Sequence, residues 1–71
     1  MNPKEAYQRL VDYFGGQQAT ATALNVKQPS VSAWVSGKAR MSAIVALRAE
    51  RKTEGAFKAI DLCPQLNEAA A

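Results

Sequence analysis

The chain has 71 residues, a formal charge of +3 and a single cysteine, Cys63, so we expect one domain and no internal disulfide. A chain this short buries only about 60% of its unfolded surface, which argues against a deep catalytic cleft and favours a marginally stable binding module for which dimerisation is one source of stability. It has neither the apolar length of a membrane span nor the layout of a signal peptide, and we expect a protein of a reducing cytoplasm.

The cationic residues are unevenly distributed along the sequence. Positions 27–58 hold seven Lys and Arg residues and two Glu residues, a net charge of +5, whereas the rest of the chain carries −2. One interpretation of this cationic segment is that the protein binds a polyanionic partner. The alternative is a solvated surface of mixed charge that keeps a small protein in solution.

The first predicted helix begins at Asn2-Pro3, with Asn2 as the cap and Pro3 at the first helical position, where its missing N–H costs nothing. Gly15-Gly16 ends it. Its apolar face is formed by Ala6, Leu10 and Phe14, with Tyr7, Val11 and Tyr13 on the flanks. We interpret this helix as a lid on the segment that follows.

Residues 17–35 predict two short helices joined by a tight turn, the arrangement of a helix-turn-helix. Asn25 suits the turn because its short amide tolerates the left-handed conformation, and Val26 then points back into the core. Two helices that cross closely need a small side chain, a role we assign to Ala21. The inward positions, spaced by three and four, are Ala21, Leu24, Val31, Trp34 and Val35. This spacing favours a core position for Trp34 over stacking on a nucleobase.

A loop and a fourth helix follow. Gly37 ends the second helix of the motif, and Lys38 and Arg40 face outward. The stretch Ser42–Thr53 is rich in helix-forming residues and is capped by Ser42, so it predicts a helix rather than β-strands. Helical spacings within it pair Val45 with Ala49, and Ile44 with Leu47 and Arg48.

The remaining sequence completes an all-α domain of five short helices. Glu54-Gly55 predicts a turn, and Lys58–Cys63 predicts the last helix, before Pro64. We expect residues 1–64 to form one helix-turn-helix domain and residues 65–71 to form a frayed tail.

The run from Phe14 to Arg40, FGGQQATATALNVKQPSVSAWVSGKAR, resembles the DNA-binding segment of the Cro repressors of lambdoid bacteriophages. In that family an aromatic-Gly pair leads into a Gln that opens the second helix, and a Gly-Val or Asn-Val turn leads into the recognition helix. The resemblance implies a λ-repressor-like DNA-binding fold in a small dimer of the bacterial host cytoplasm. It also implies a repressor that binds a pseudo-palindromic operator on double-stranded DNA.

The residues that read bases must lie on the recognition-helix face opposite Val31 and Trp34, since a major groove about 12 Å wide admits one helix. The predicted base-contacting residues are Lys27, Gln28, Pro29, Ser30, Ser32 and Ala33. The predicted phosphate-contacting residues are Gln17, Ser36, Lys38 and Arg40, of which Gln17 follows from the Cro pattern. Gln28 is the best candidate, because its amide matches the N6 and N7 atoms of adenine. Because Ser32 and Ala33 are short, we expect sparse direct readout supplemented by waters or DNA deformability.

Other features have competing interpretations. Phe57, Ile60 and Leu62 are candidates for a weak homodimer surface, or they close the core. Arg48, Arg51 and Lys52 form either a solvated face or a second DNA contact. A helical protein-interaction module without specific DNA binding is the alternative function. An enzyme is disfavoured, and we expect no metal, cofactor or small-molecule ligand, because the chain lacks His, a Gly-rich phosphate loop and metal-ligand spacing.

Overall fold

The computed structural model describes residues 3–66, which form five α-helices and no β-strand. The prediction of an all-helical chain with five helices is therefore confirmed. The helices are α1 (Pro3–Phe14), α2 (Gln17–Leu24), α3 (Gln28–Ser36), α4 (Ala43–Lys52) and α5 (Ala59–Leu62). The predicted last helix is shorter than expected, because Lys58 and Cys63 are its caps.

Helix α1 covers the helix-turn-helix and packs against α2, α3 and α5. Ala6, Tyr7, Leu10 and Val11 are buried, and Phe14 packs partly buried against the same core. Tyr13 was predicted on the flank of this apolar face, but its side chain is 53% exposed and contacts the rings of Phe14 and Phe57. The predicted cap Asn2 lies outside the described residues.

The turn between α2 and α3 has the predicted left-handed residue. Asn25 adopts φ 55° and ψ 46°, and the N–H of Val26 donates to the carbonyl of Ala21 at 2.9 Å. This pattern of bonds closes the end of α2 and lets α3 begin after a very short connection. Ala21 and Leu24 are buried on α2, and Val31 and Trp34 are buried on α3, as predicted. The two helices of the motif therefore share one apolar interface.

Helix α4 begins as predicted but faces the core with its smallest side chains. The Ser42 hydroxyl oxygen accepts a hydrogen bond from the N–H of Val45 at 3.3 Å, so Ser42 is the N-cap. Ala46 and Ala49 are fully buried, whereas Ile44 is 70% and Leu47 44% exposed. Small inward residues allow α4 to pack closely on α2 and α5.

The turn after α4 is fixed by side-chain bonds to the main chain. The Thr53 hydroxyl donates to the Ala49 carbonyl at 2.8 Å and accepts from the N–H of Phe57 at 3.2 Å. The Glu50 carboxylate accepts from the N–H of Ala59 at 2.7 Å, which supplies a cap for the short helix α5. Glu50 on α4 thus caps the start of α5. Residue Glu54 has φ 53° in this turn.

A buried tyrosine joins three distant parts of the chain. The Tyr7 hydroxyl donates to the Leu62 carbonyl at 2.9 Å and accepts from the N–H of Met41 at 3.0 Å. These bonds tie α1 to the end of α5 and to the loop before α4. The sequence predicted only an apolar flank position for Tyr7, so this polar role was missed.

The structure describes only the first two residues of the predicted C-terminal tail, 65 and 66. Leu66 packs partly buried against the core, and residues 67–71 of the predicted tail lie outside the described residues. Residues 3–66 contain no helix with the length and hydropathy of a transmembrane span.

Candidate nucleic-acid interface

The start of α3 presents an exposed polar strip on the side away from the core. Lys27, Gln28, Pro29 and Ser30 are exposed, while Ser32 and Ala33 further along the helix are half-buried. Behind this strip Val31 has no exposed surface and Trp34 is buried against Tyr7. The structure therefore brings the predicted base-contacting residues together at the first turns of α3 and holds the helix from behind.

Gln28 is joined to Gln17 across the motif. Its amide nitrogen donates to the Gln17 side-chain oxygen at 2.6 Å, so the first residue of α2 supports the first residue of α3. Each carboxamide has two N–H donors and one oxygen acceptor. The bond leaves Gln28 one N–H and its oxygen for a base edge, and it leaves Gln17 its N–H donors for a phosphate.

Both helices of the motif begin without a side-chain cap. Gly16 precedes α2 and Lys27 precedes α3, and neither position has a side-chain hydrogen bond to the helix. The first N–H groups of a helix lack intrahelical acceptors and carry the positive end of the helix dipole. These two ends therefore suit anionic groups next to the Gln17–Gln28 pair.

Cationic side chains lie beyond both ends of α3. Gly37 stops the helix in the left-handed conformation, with φ 82°, and Lys38 and Arg40 follow it in an exposed loop. Lys27 is exposed at the other end. Ser36 is exposed too, but its hydroxyl donates to the Ala33 carbonyl at 3.2 Å within the helix. Among the predicted phosphate contacts, Lys38 and Arg40 are thus better donors than Ser36.

An open depression of about 450 Å³ separates α3 from the start of α4. Pro29, Ala33 and Trp34 line one side, and Arg40 and Val45 line the other. No local pattern indicated this feature, because it forms only when the two helices and the intervening loop pack together. It places the guanidinium-bearing Arg40 beside the polar strip.

The described residues show no group of three His, Cys, Asp or Glu side chains able to hold a metal ion. Cys63 is a free thiol that lies buried in the core. What the arrangement provides chemically is hydrogen-bond donors, acceptors and positive charge on one surface.

The predicted dimer residues have different environments. Ile60 is 44% exposed and Phe57 is half-buried, but Leu62 has no exposed surface and closes the core against Tyr7. Leu62 is therefore corrected from a candidate surface residue to a core residue. The other large exposed aliphatic side chains of the described chain are Ile44 and Leu47 on α4.

Of the three cations on α4, Arg51 and Lys52 are exposed, whereas Arg48 is half-buried. The Arg48 guanidinium donates to the main-chain carbonyl of Leu24 at the end of α2. Neither of the two interpretations considered for Arg48 included this role, since the contact depends on how α4 packs on α2.

Two comparisons with known proteins identify a family and a regulatory protein to which this chain is similar. A family model described as bacterial toxin YdaS matches residues 7–70. The regulatory protein Cro of Pseudomonas phage D3 is 53% identical over 58 residues, which cover 82% of this chain and 80% of that protein. No solved structure matches the chain.

Proposed function

The chain belongs to the YdaS family of helix-turn-helix proteins and to the same family as the phage Cro regulatory proteins, and from this premise we propose that it is a sequence-specific repressor of transcription. It binds double-stranded DNA by placing α3 in the major groove of an operator. The observation that carries this proposal is the polar strip that begins at Gln28, supported by Gln17 and backed by Val31 and Trp34.

Base reading depends on few side chains. Gln28 pairs its free N–H and its oxygen with one adenine, while Ser30 and Ser32 offer hydroxyl groups and Pro29 and Ala33 offer apolar contact to thymine methyl groups. Because Ser32 and Ala33 are short and half-buried, the first turn of α3 dominates direct readout. The remaining specificity comes from Lys27, waters and the deformability of the DNA.

Phosphate contacts hold the protein in register. Gln17 and the uncapped start of α2 bind one phosphate, and Lys38 and Arg40 bind the backbone where the chain leaves the groove. These contacts carry most of the affinity for any duplex, because each displaces condensed counterions. They position α3 but do not select a sequence.

A single α3 contacts too few base pairs to define a site in a genome, so the protein acts as a weak homodimer on a pseudo-palindromic operator. Ile60 and Phe57 remain candidates for the contact between protomers, and the exposed Ile44 and Leu47 offer further apolar surface. Burial of these side chains against a second copy removes apolar surface from water.

The toxin description of the family is compatible with the same activity. A protein that represses the promoter of a gene required for growth inhibits growth without any catalytic step. We therefore expect growth inhibition, where it occurs, to require the same surface as DNA binding.

The test is a selection of bound duplexes from random DNA, followed by titrations of the selected and a scrambled duplex over a range of salt concentrations. If the protein is a sequence-specific repressor, we expect it to bind the selected duplex more tightly than the scrambled one and to lose affinity steeply as the salt concentration rises. A protein that is indifferent to DNA at low salt is instead an interaction module.

Replacing Gln28 with alanine is expected to remove preference at one base-pair position, a loss of about 1–3 kcal/mol of discrimination, and to leave affinity for scrambled DNA nearly unchanged. Binding is measured against a set of duplexes that vary one position at a time. The control is Gln8→Ala, which truncates an exposed glutamine on α1. An equal loss on every duplex would show that Gln28 contacts only the backbone.

Replacing Lys38 or Arg40 with alanine is expected to weaken binding to all duplexes and to lower the slope of log affinity against log salt by about 0.9 for each lost phosphate contact. The control is Arg9→Ala, which removes the same charge from an exposed position on α1, outside the cationic segment 27–58. A slope equal to that of the control variant would exclude the residue from the interface.

A further inference from the structure

Arg48 connects α4 directly with the turn of the helix-turn-helix. Its guanidinium donates a hydrogen bond to the carbonyl of Leu24, the last residue of α2, in a partly buried contact between residues 24 positions apart. Arg48 lies outside the motif, and α3 begins only a few residues after Leu24. The bond therefore joins α4 to the point at which the chain bends toward the recognition helix.

The Leu24 carbonyl has no main-chain donor in the turn. The last carbonyls of a helix have no intrahelical donor. The main-chain bonds of the turn reach the carbonyls of Ala21 and Thr22, through the N–H groups of Val26 and Asn25, and none of them ends at Leu24. A guanidinium suits this position because it donates a charge-assisted bond and complements the negative end of the helix dipole.

We infer that Arg48 is a positioning residue for sequence discrimination: by holding the end of α2 against α4 it sets the orientation in which α3 meets DNA, without touching DNA itself. This inference rests on the proposed repressor function. Base reading through a few short side chains tolerates little misplacement, since a recognition site needs its groups held to within about 0.5 Å. Phosphate contacts from flexible cationic side chains tolerate a larger misplacement of the helix.

The test compares Arg48→Met with Arg51→Met. Both variants keep an unbranched apolar stem and remove one charge from α4, but Arg51 is exposed. We expect R48M to lower the ratio of affinities for the selected and scrambled duplexes by about tenfold, in line with loss of a charge-assisted hydrogen bond, while R51M leaves the ratio unchanged. Arg48→Lys, which retains a cationic donor but not the planar guanidinium, is expected to give a ratio between those of the wild type and R48M. If R48M does not fold, R48K is compared with R51K, and equal ratios in these two variants overturn the inference.

A second measurement without DNA separates this inference from the proposed function. Hydrogen exchange of the Val26 amide is expected to be about tenfold faster in R48M than in R51M, because its bond to Ala21 closes the turn that Arg48 holds. Unchanged exchange overturns the inference. Faster exchange with an unchanged affinity ratio also overturns it, because Arg48 is then only structural.

If R48M instead loses affinity equally on all duplexes and has a lower salt slope, Arg48 is a phosphate contact. That result also overturns the inference that Arg48 is a positioning residue. Wild-type protein that prefers no duplex refutes the proposed function and the discrimination part of the inference. The exchange measurement then still decides whether Arg48 holds the turn.

Discussion

Replacing Ala21 with leucine is expected to destabilise the domain by about 1–3 kcal/mol and to abolish preference for the selected duplex. Ala21 is 2% exposed on α2, which packs against both α1 and α3. An isobutyl group at this position forces the helices apart, because close-packed interiors have no space for it. Since a domain of this size is stabilised by only a few kcal/mol, the effect is a large fraction of the total.

Thermal unfolding and duplex titrations measure the two effects. The melting temperature should fall by about 4–24 °C, since each kcal/mol lowers it by about 4–8 °C in a small domain. The control is Ala19→Leu, the same substitution at an exposed position on α2. Stability of A21L equal to that of A19L would show that Ala21 does not limit the approach of the helices.

Replacing Tyr7 with phenylalanine is expected to cost about 2–6 kcal/mol, because it leaves two buried polar groups without a partner and each such group costs about 1–3 kcal/mol. The lost hydroxyl leaves the Met41 N–H and the Leu62 carbonyl without their bonds of 3.0 and 2.9 Å. The ring remains and packs as before. The change therefore isolates the hydroxyl from the hydrophobic contribution of the side chain.

Denaturant unfolding checks this prediction, with Tyr13→Phe as the matched control. Tyr13 is on the same helix but is 53% exposed, so loss of its hydroxyl should change the free energy of unfolding by less than about 0.5 kcal/mol. If Y7F unfolds at the same denaturant concentration as the wild type, the tie between α1, α5 and the loop before α4 contributes no stability.

The sequence predicted the helices and the outward strip of α3 because both depend on short-range rules. Apolar spacing identified Leu24, Val31 and Trp34 as core residues. Asn25 and Gly37 supplied the left-handed residues that end α2 and α3, and Ser42 supplied the cap of α4. In each case the residue type and its immediate neighbours in the sequence are sufficient to predict the local structure.

The contact between Gln17 and Gln28 could be predicted from the sequence only in part. The Cro resemblance implied that Gln17 opens the second helix and contacts a phosphate, but periodicity alone offers no reason to pair two residues at the starts of different helices. The structure supplies the bond of 2.6 Å.

Tertiary packing alone decided which face of α4 is buried and which polar groups meet. The spacing of Ile44 and Leu47 indicated a helix, yet Ala46 and Ala49 face the core, because close approach of α2 and α5 favours the smallest side chains. The partners of Tyr7 and Arg48, and the burial of Leu62, likewise depend on how helices far apart in sequence are placed. Local sequence determines where each helix begins, ends and is apolar, whereas a hydrogen bond between distant segments exists only after their relative positions are fixed.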